Sequence, residues 1–192
     1  MPRSPICSSP DFDQVYQPAE DTFLLLRAAE KEVTPDDRVL EIGVGSGYIS
    51  SRLVSCRMVA GTDINPHAVR TAYHAGVPMV RTDLCAGIRQ VFDLVIFNPP
   101  YLPTNPEERV DDWLEYALDG GENGREVIIR FIACLSEVLV PGGRALLLIS
   151  SLTGIKETSA LILAAGWHGE MVCQEQVEGG ETLFILRMIR NF

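Results

Sequence analysis

The chain has 192 residues, a formal net charge of −10 and 46% hydrophobic residues. This length suits one domain with a full core, which we predict to span residues 1–192, and the composition excludes a disordered chain. No apolar run approaches the ~20 residues that cross a bilayer, and the first ten residues lack the apolar centre of a signal peptide. We therefore expect a cytoplasmic protein without membrane contacts, and the acidic charge opposes direct binding of nucleic acid.

The five cysteines are dispersed, with no Cys-x-x-Cys pair and no histidine at ligand spacing. Such spacing indicates neither a disulfide framework nor a zinc site, so no metal ligand is predicted. We expect most of the cysteines to be small buried side chains.

Strand and helix patterns alternate along the chain. Residues 1–15 are predicted to be a loose arm, and Pro18 with the acids after it begins a helix. Strands are predicted at residues 38–42, 58–63, 76–83, 91–98 and 144–150, helices at 48–55, 66–75, 125–140 and 153–165, and a final hairpin at 167–175 and 182–190. Pro78 marks the third strand as an edge strand. The pattern predicts an α/β fold with one mostly parallel seven-stranded sheet and an antiparallel C-terminal end.

A glycine-rich turn follows the first strand, with Gly43, Gly45 and Gly47 at alternate positions. Glycines there let the backbone turn tightly and approach a ligand closely, and the helix predicted behind them would present free N–H groups. The spacing matches neither the dinucleotide fingerprint nor the P-loop. Taken alone, the turn fits a structural role as well as a binding role.

Two further strands end in acids at the same predicted edge of the sheet. Asp63 follows Gly43 by 20 residues, where doubly wound folds place an acid that accepts ribose hydroxyls, although it could equally cap the next helix. Asp83, with the backbone beside it at Leu84, suits an adenine edge, or is an ordinary turn aspartate. The glycine and acid signals reinforce each other because the carboxyl ends of parallel strands meet at one edge.

The fourth strand ends in Asn98, Pro99, Pro100 and Tyr101. Proline fixes its own φ and donates no ladder hydrogen bond, so the chain leaves the sheet in a stiff, set direction. The Asn98 amide, the proline carbonyls and the flat ring of Tyr101 predict a small pocket for a planar group that carries N–H protons. The acidic stretch after it, residues 102–122, is long for a compact domain and is predicted to be a substrate-facing lid.

In order and spacing, these residues resemble the class I S-adenosylmethionine-dependent methyltransferases, and the Asn-Pro-Pro-Tyr variant resembles those that methylate planar nitrogens. The stretches at residues 16–22 and 118–125 are similar to the HemK-type release-factor glutamine methyltransferases, in their short eukaryotic and archaeal branch. This resemblance covers nearly the whole chain and implies a single doubly wound, Rossmann-like methyltransferase domain. The bacterial branch carries an N-terminal helical domain, for which we expect no counterpart in a chain of this length.

The resemblance also implies a reaction, a cofactor and partners. The substrate would be the glutamine of the Gly-Gly-Gln motif in a class I release factor, with S-adenosylhomocysteine as a product. A small zinc-binding activator shared among methyltransferases would form a heterodimer with the chain. Cofactor contacts would come from Thr22, Glu41, Gly43, Gly45, Asp63, Asp83, Leu84 and Asn98, while Asn98, Pro99 and Tyr101 would serve catalysis and, with Pro100, bind the substrate.

Three other functions fit parts of the pattern. A DNA or RNA adenine-N6 methyltransferase can use the same pocket on a flipped base, but the acidic charge opposes it. The pocket could also accept the amine of a protein lysine. A non-catalytic cofactor-binding scaffold would have no physical need for the intact corner at residues 98–101.

Overall fold

The computed structural model describes residues 12–104, 107 and 112–190, in which helices and strands follow one another in nearly the predicted order. Their bounds are α1 Glu20–Glu32, β1 Arg38–Ile42, β2 Met58–Asp63, α2 Pro66–His74, β3 Met79–Arg81, β4 Phe92–Phe97, α3 Trp113–Tyr116, α4 Glu126–Val138, β5 Leu139–Ser150, α5 Ile155–Ala164, β6 His168–Gln176 and β7 Thr182–Ile189. Within this described part, no helix is both long enough and apolar enough to cross a bilayer.

The seven strands of the described residues form one sheet in the order β3-β2-β1-β4-β5-β7-β6. The first five of these pair in parallel, and β7 runs antiparallel to both β5 and β6. The predicted mostly parallel sheet with an antiparallel C-terminal hairpin is confirmed, and β3 lies at an edge, as Pro78 indicated. The winding direction reverses between β1 and β4, which opens a crevice at the carboxyl ends of these two strands.

Both faces of the sheet are covered, which explains the nearly continuous apolar runs of its strands. On one face, α4 packs Phe131 against Phe97 of β4, with ring centroids 4.8 Å apart. On the other face, Leu24 and Leu25 of α1 pack on residues of β1, β4 and β5. Alternate strand residues therefore enter different clusters, and this fixes the register of each strand.

The helix predicted at residues 48–55 is wrong. The structure has only a 3-10 helix, Ser50–Arg52, after the glycine turn. The Ser50 N–H donates to the Glu41 carboxylate at 2.9 Å instead of to a carbonyl one helical turn back. A side chain from the preceding strand thus takes the bond that would continue an α-helix, and no α-helix terminus lies behind the glycines.

The predicted loose arm lies mainly outside the described residues, which begin at residue 12. Its last residues are not loose: Phe12–Gln14 form a 3-10 helix and Val15 is buried. The Asn65 side chain donates to the carbonyl of Gln14 at 2.7 Å. This contact joins residues 51 positions apart in the chain, so local sequence patterns do not reveal it.

Cys85 and Cys134 form a disulfide, contrary to the expectation from the cysteine spacing. Cys85 lies in the turn after β3, and Cys134 lies on α4, with their Cα atoms 6.3 Å apart. The fold brings together two residues separated by 49 positions, which spacing alone does not report. Cys56 and Cys173 are free, and Cys7 lies outside the described residues.

A charged network closes the amino end of the sheet, opposite the crevice. Arg144 of β5 donates to the buried Asp37 carboxylate at 2.7 Å and lies 3.5 Å from a carboxylate oxygen of Glu32. Burial alone would raise the pKa of Asp37, but hydrogen bonds from Arg144 and the Thr34 backbone outweigh it and hold that pKa below its usual value. Asp37 is therefore a buried anion, and Arg144 is the cation that compensates its charge.

We predict that Arg144→Met lowers the free energy of unfolding by about 3–5 kcal/mol at pH 7, because it leaves a buried carboxylate unpaired. The Asp37 pKa is depressed in the folded state, so this stabilisation is present at neutral pH and is lost as the pH falls below about 4. Urea titrations at pH 3 to 7 measure the difference, which should shrink in acid. Arg27→Met removes the exposed pair with Glu175 and should cost less than about 1 kcal/mol. Equal losses in the two variants would contradict the prediction.

Candidate active site

A cavity of about 430 Å³ lies at the carboxyl ends of β1, β2 and β4, where the winding of the sheet reverses. Its volume falls in the range of small-molecule sites. Every residue predicted for the site lines it: Thr22, Glu41, Gly43, Gly45, Asp63, Asp83, Leu84, Asn98, Pro99, Pro100 and Tyr101. The fold therefore brings into one cavity residues that belong to α1, to three strand ends and to the turns between them.

Asp63, at the end of β2, is held by backbone donors. Its carboxylate accepts from the N–H of Gly45 at 2.9 Å and from the N–H of Asn65 at 2.8 Å. Burial raises the pKa of Asp63, although these hydrogen bonds oppose the rise. Asn65, not Asp63, caps α2, since its side chain accepts from the N–H of His67. The cap alternative for Asp63 is thus removed, and Asp63 is a fixed acceptor beside the glycine turn.

Glu41, at the end of β1, is buried under the glycine turn. Its carboxylate accepts from both the N–H and the hydroxyl of Ser50. Burial raises the pKa of Glu41 to about 8, with the nearby Asp63 adding to the rise and the Ser50 hydrogen bonds opposing it. The folded chain therefore holds this group largely as the neutral acid near neutral pH.

Asp83 lies at the rim of the cavity, beyond β3, and is paired. Arg130 of α4 donates to its Oδ2, a contact that no local sequence pattern indicates. The next residue, Leu84, has a φ of 49°, and its carbonyl accepts from the buried hydroxyl of Thr62 at 3.0 Å. The turn thereby holds Leu84 against the cavity in a conformation that a leucine rarely adopts.

The corner at residues 98–101 contains an unpaired buried acceptor. Asn98 donates from Nδ2 to the Asp21 carboxylate at 3.0 Å, whereas its Oδ1 is buried without a hydrogen-bond partner. Buried polar atoms are almost always paired in native proteins, so an orphaned oxygen on a cavity wall marks a place for a ligand donor. Burial, followed by the nearby acids Asp21, Glu181 and Glu20, raises the pKa of Tyr101 and keeps its hydroxyl neutral.

The glycine-rich stretch at residues 118–125 packs directly against this corner. A Cβ on Gly124, which has a φ of 70°, would lie 2.4 Å from the carbonyl oxygen of Tyr101. Only glycine fits this approach. Gly124 therefore allows the stretch at residues 118–125 to pack against the corner at residues 98–101. The predicted lid begins here: Leu102 bridges Asp119, and the short helix α3 interrupts what was predicted to be loop. Residues 105–106 and 108–111 of the predicted lid lie outside the described residues.

Several cavity residues were missed by sequence reasoning. Tyr16 and Asp21 belong to a stretch that the sequence marks only by its resemblance to the family, and both line the cavity. Further examples come from the predicted lid and from distant elements: Trp113, Tyr116, Arg130 and Glu181. Only the acid-rich first turn of α1 was a local signal, and it indicated a helix start.

The cavity fits S-adenosylmethionine, a cation that carries an adenine, a ribose with two hydroxyls and an amino-acid group. Acceptors for these groups lie at or just beyond the carboxyl ends of three neighbouring strands, at Glu41, Asp63 and Asp83. A Cβ on Gly43 would lie 3.3 Å from the Phe97 ring, so bare backbone forms this wall. The fold and the cavity together define a class I S-adenosylmethionine-dependent methyltransferase.

Comparison with known proteins identifies the family. The chain is 39% identical over 183 residues to a Methanocaldococcus jannaschii protein described as a putative protein N5-glutamine methyltransferase, covering 90% of each chain. It is 35% identical over 197 residues to human methyltransferase HEMK2, covering 94% of this chain and 92% of that protein. No family model matches the chain.

A solved structure agrees with this relationship. The E. cuniculi Mtq2–Trm112 complex, which is responsible for methylating the translation termination factor eRF1, contains a chain that superposes with a TM-score of 0.78 and 32% identity. The match covers 93% of this chain and 99% of that one. The protein therefore belongs to the HemK family of methyltransferases.

We predict that the raised pKa of Glu41 makes the cofactor-free fold less stable as the pH rises. The unfolded chain releases this proton near pH 4.5 and the folded chain only near pH 8, so the free energy of unfolding falls between those values by up to about 1.4 kcal/mol per pH unit. Glu41→Gln retains an acceptor for Ser50 and cannot titrate, so its unfolding should depend less on pH. Urea titrations from pH 5 to 8 test this, with the exposed Glu30→Gln as control. Parallel curves for wild type and Glu41→Gln would refute it.

Proposed function

We propose that this enzyme transfers a methyl group to the side-chain amide nitrogen of the glutamine in the Gly-Gly-Gln motif of a class I translation termination factor. The observation that carries the proposal is the buried, unpaired Oδ1 of Asn98 on the cavity wall. A primary amide offers two N–H donors in one plane, and Oδ1 is an acceptor for one of them. We assign the other donor to the carbonyl of Pro99.

These acceptors address the chemical difficulty of the reaction. An amide nitrogen is a poor nucleophile because its lone pair is delocalised into its carbonyl. The cofactor supplies an activated methyl group on a sulfonium. If Asn98 and Pro99 accept both N–H bonds, they increase the electron density on nitrogen, direct its lone pair and stabilise the positive charge that develops. Alignment of this kind is worth about 7–11 kcal/mol. The proposed reaction therefore does not require a strong base beside Asn98.

We also assign the cofactor-binding residues. Glu41, Gly43, Gly45 and Asp63 would hold the amino-acid and ribose parts, and Leu84 would contact the adenine. Arg130 takes Oδ2 of Asp83, so we propose Oδ1 as the acceptor for the adenine amino group. Thr22 and Asn98 complete the set at the junction with the substrate slot.

The relatives support this choice of substrate. The E. cuniculi complex is responsible for methylating eRF1, and the M. jannaschii relative is described as a putative glutamine methyltransferase. We propose by extension that the chain acts as a single catalytic domain, in the cytoplasm where termination factors work. An adenine in nucleic acid is disfavoured by the net charge of −10 and by the acids that line the cavity.

We predict that Asn98→Ala abolishes methyl transfer, with a loss of at least about 100-fold in kcat/KM, because it removes the acceptor for the substrate amide. Tritium transfer from labelled S-adenosylmethionine to a termination factor measures this loss. The same factor with its Gln→Ala substitution should accept no label. Calorimetry should show that most of the cofactor affinity is retained, because Asn98 is one cofactor contact among several. A variant that loses the cofactor altogether would show that Asn98 acts on the cofactor and not on the substrate amide. Faster labelling of duplex DNA, RNA or protein lysine would overturn the substrate.

We further propose an activator protein, a small zinc-binding subunit, that pairs with the edge strand β3. This strand has three residues, lies at the sheet edge and pairs with β2. In a parallel ladder alternate residues face opposite sides, and Pro78 and Thr82 bond to β2, so the backbone groups of Met79 and Arg81 face outward. The exposed Val80 adds apolar area. An edge of this kind is suited to strand addition, and the E. cuniculi relative was solved with a second subunit, Trm112.

We predict that Val80→Asp weakens capture of a Trm112-type activator at least about tenfold, because it places a charge beside the proposed seam. Val54→Asp is the matched control, since Val54 is 84% exposed and lies away from β3. Co-purification and titration calorimetry measure the affinity. A purified chain that is soluble, monomeric and fully active without an activator would exclude the partner.

A further inference from the structure

We propose that Asp21 is a positioning residue that sets the orientation of the Asn98 amide, and so decides that an oxygen rather than an NH2 group faces the substrate. The inference rests on the proposed function, because it concerns the same substrate slot. It assigns the role to a side chain from outside the sheet, in the first turn of α1.

The Asp21 carboxylate is buried and surrounded by donors. Oδ2 accepts from Asn98 Nδ2 and from the Tyr16 hydroxyl, each at 3.0 Å. Oδ1 accepts from the N–H of Thr22 at 2.6 Å and from the Thr22 hydroxyl at 3.1 Å. Asp21 is only 4% exposed, so neither oxygen is free to exchange these partners for bulk water.

An ionised carboxylate can only accept hydrogen bonds, and this property removes the symmetry of the Asn98 amide. An amide can present its oxygen or its nitrogen after a half-turn. With Asp21 on one side, the turned form would place two oxygens in contact in a buried site, at the cost of an unsatisfied polar pair. Asn98 must therefore give its NH2 group to Asp21, which leaves Oδ1 as the atom that faces an incoming N–H.

Tyr16 helps to hold this arrangement. Burial, reinforced by the charge and hydrogen bond of Asp21, raises the pKa of Tyr16, so its hydroxyl remains a donor in neutral and alkaline solution. The Thr22 donors come from the start of α1, where free N–H groups favour an anion. The two sides of the carboxylate are thus fixed by the segment before α1 and by α1 itself.

The central test is Asp21→Asn, a change of nearly the same shape. The introduced amide can still accept from the Thr22 N–H, but its own NH2 group then faces Asn98 and turns that side chain over. We expect kcat/KM for the termination factor to fall about 100-fold, with cofactor affinity within about threefold of wild type by calorimetry. Asp36→Asn, in the exposed turn before β1, also removes one negative charge and should leave transfer unchanged.

The exchanged double variant, Asp21→Asn with Asn98→Asp, separates positioning from a structural role. Its net charge equals that of wild type. The carboxylate introduced at residue 98, directly after β4, accepts from the NH2 group introduced on α1 and offers its other oxygen to the substrate. Transfer should therefore recover at least about tenfold over Asp21→Asn. Asn98→Asp alone places two carboxylates in contact and should be least active at high pH, recovering as the pair binds a proton in acid. All variants are assayed with the activator present.

Three kinetic results would overturn the proposal: Asp21→Asn within about threefold of wild-type activity, a folded and cofactor-binding double variant with no recovery, or an Asn98→Asp activity that does not depend on pH.

Failure of the proposed substrate would appear differently, as wild-type enzyme that does not label a termination factor. In that case the orientation is read directly by nitrogen NMR. The Asn98 NH2 signals, assigned by their loss in Asn98→Asp, should be protected from solvent exchange and should shift in Asp21→Asn; signals that exchange as fast as those of exposed asparagines would contradict the inference.

Discussion

The parallel pairing of β1 with β4 is the constraint on which the site depends. In this register Ile42 lies opposite Phe97, and these are the last residues of their strands. Gly43 follows β1 directly and Asn98 follows β4 directly. The glycine turn and the corner at residues 98–101 therefore begin side by side. Both strands are buried on both faces, and a slip of one residue would turn every side chain to the wrong layer. Core packing along the two strands thereby fixes the distance between the Gly43 backbone and the Asn98 side chain.

The acids around the cavity are stabilised in different ways, and this division suits a cationic cofactor. Glu41 keeps a proton near neutral pH, whereas Asp63 is surrounded by backbone N–H groups and Asp21 by side-chain and backbone donors. Carboxylates that line one cavity without such support would repel one another and take up protons. The fold thus keeps several acids around one cavity without destabilising the chain before a cofactor binds.

Sequence patterns were sufficient for the number of strands, their order along the chain and the residues at the strand ends, because apolar runs and glycine turns are local signals. They did not give the lengths of β3 and β5, which were predicted at residues 76–83 and 144–150 and span Met79–Arg81 and Leu139–Ser150. They were insufficient where a distant residue decides local structure. Glu41 takes a hydrogen bond from Ser50 and replaces the predicted helix by a single 3-10 turn. Cys134 reaches Cys85 only after α4 has packed on the sheet. Asp21 resembles an ordinary helix-start acid for the same reason: its partner is 77 residues away.

The segment at residues 12–19 and the first turn of α1 lie outside the sheet, yet they set the polarity of the slot. The contacts that hold them include the bond from Asn65 to the Gln14 carbonyl, the burial of Val15 and the hydrogen bonds of Asp21. Regions with few buried contacts open at lower free energy than the core does. Detachment of this segment would leave the strands paired but release Asn98 from its partner. We therefore expect methyl transfer to depend on this segment in a way that the stability of the sheet does not.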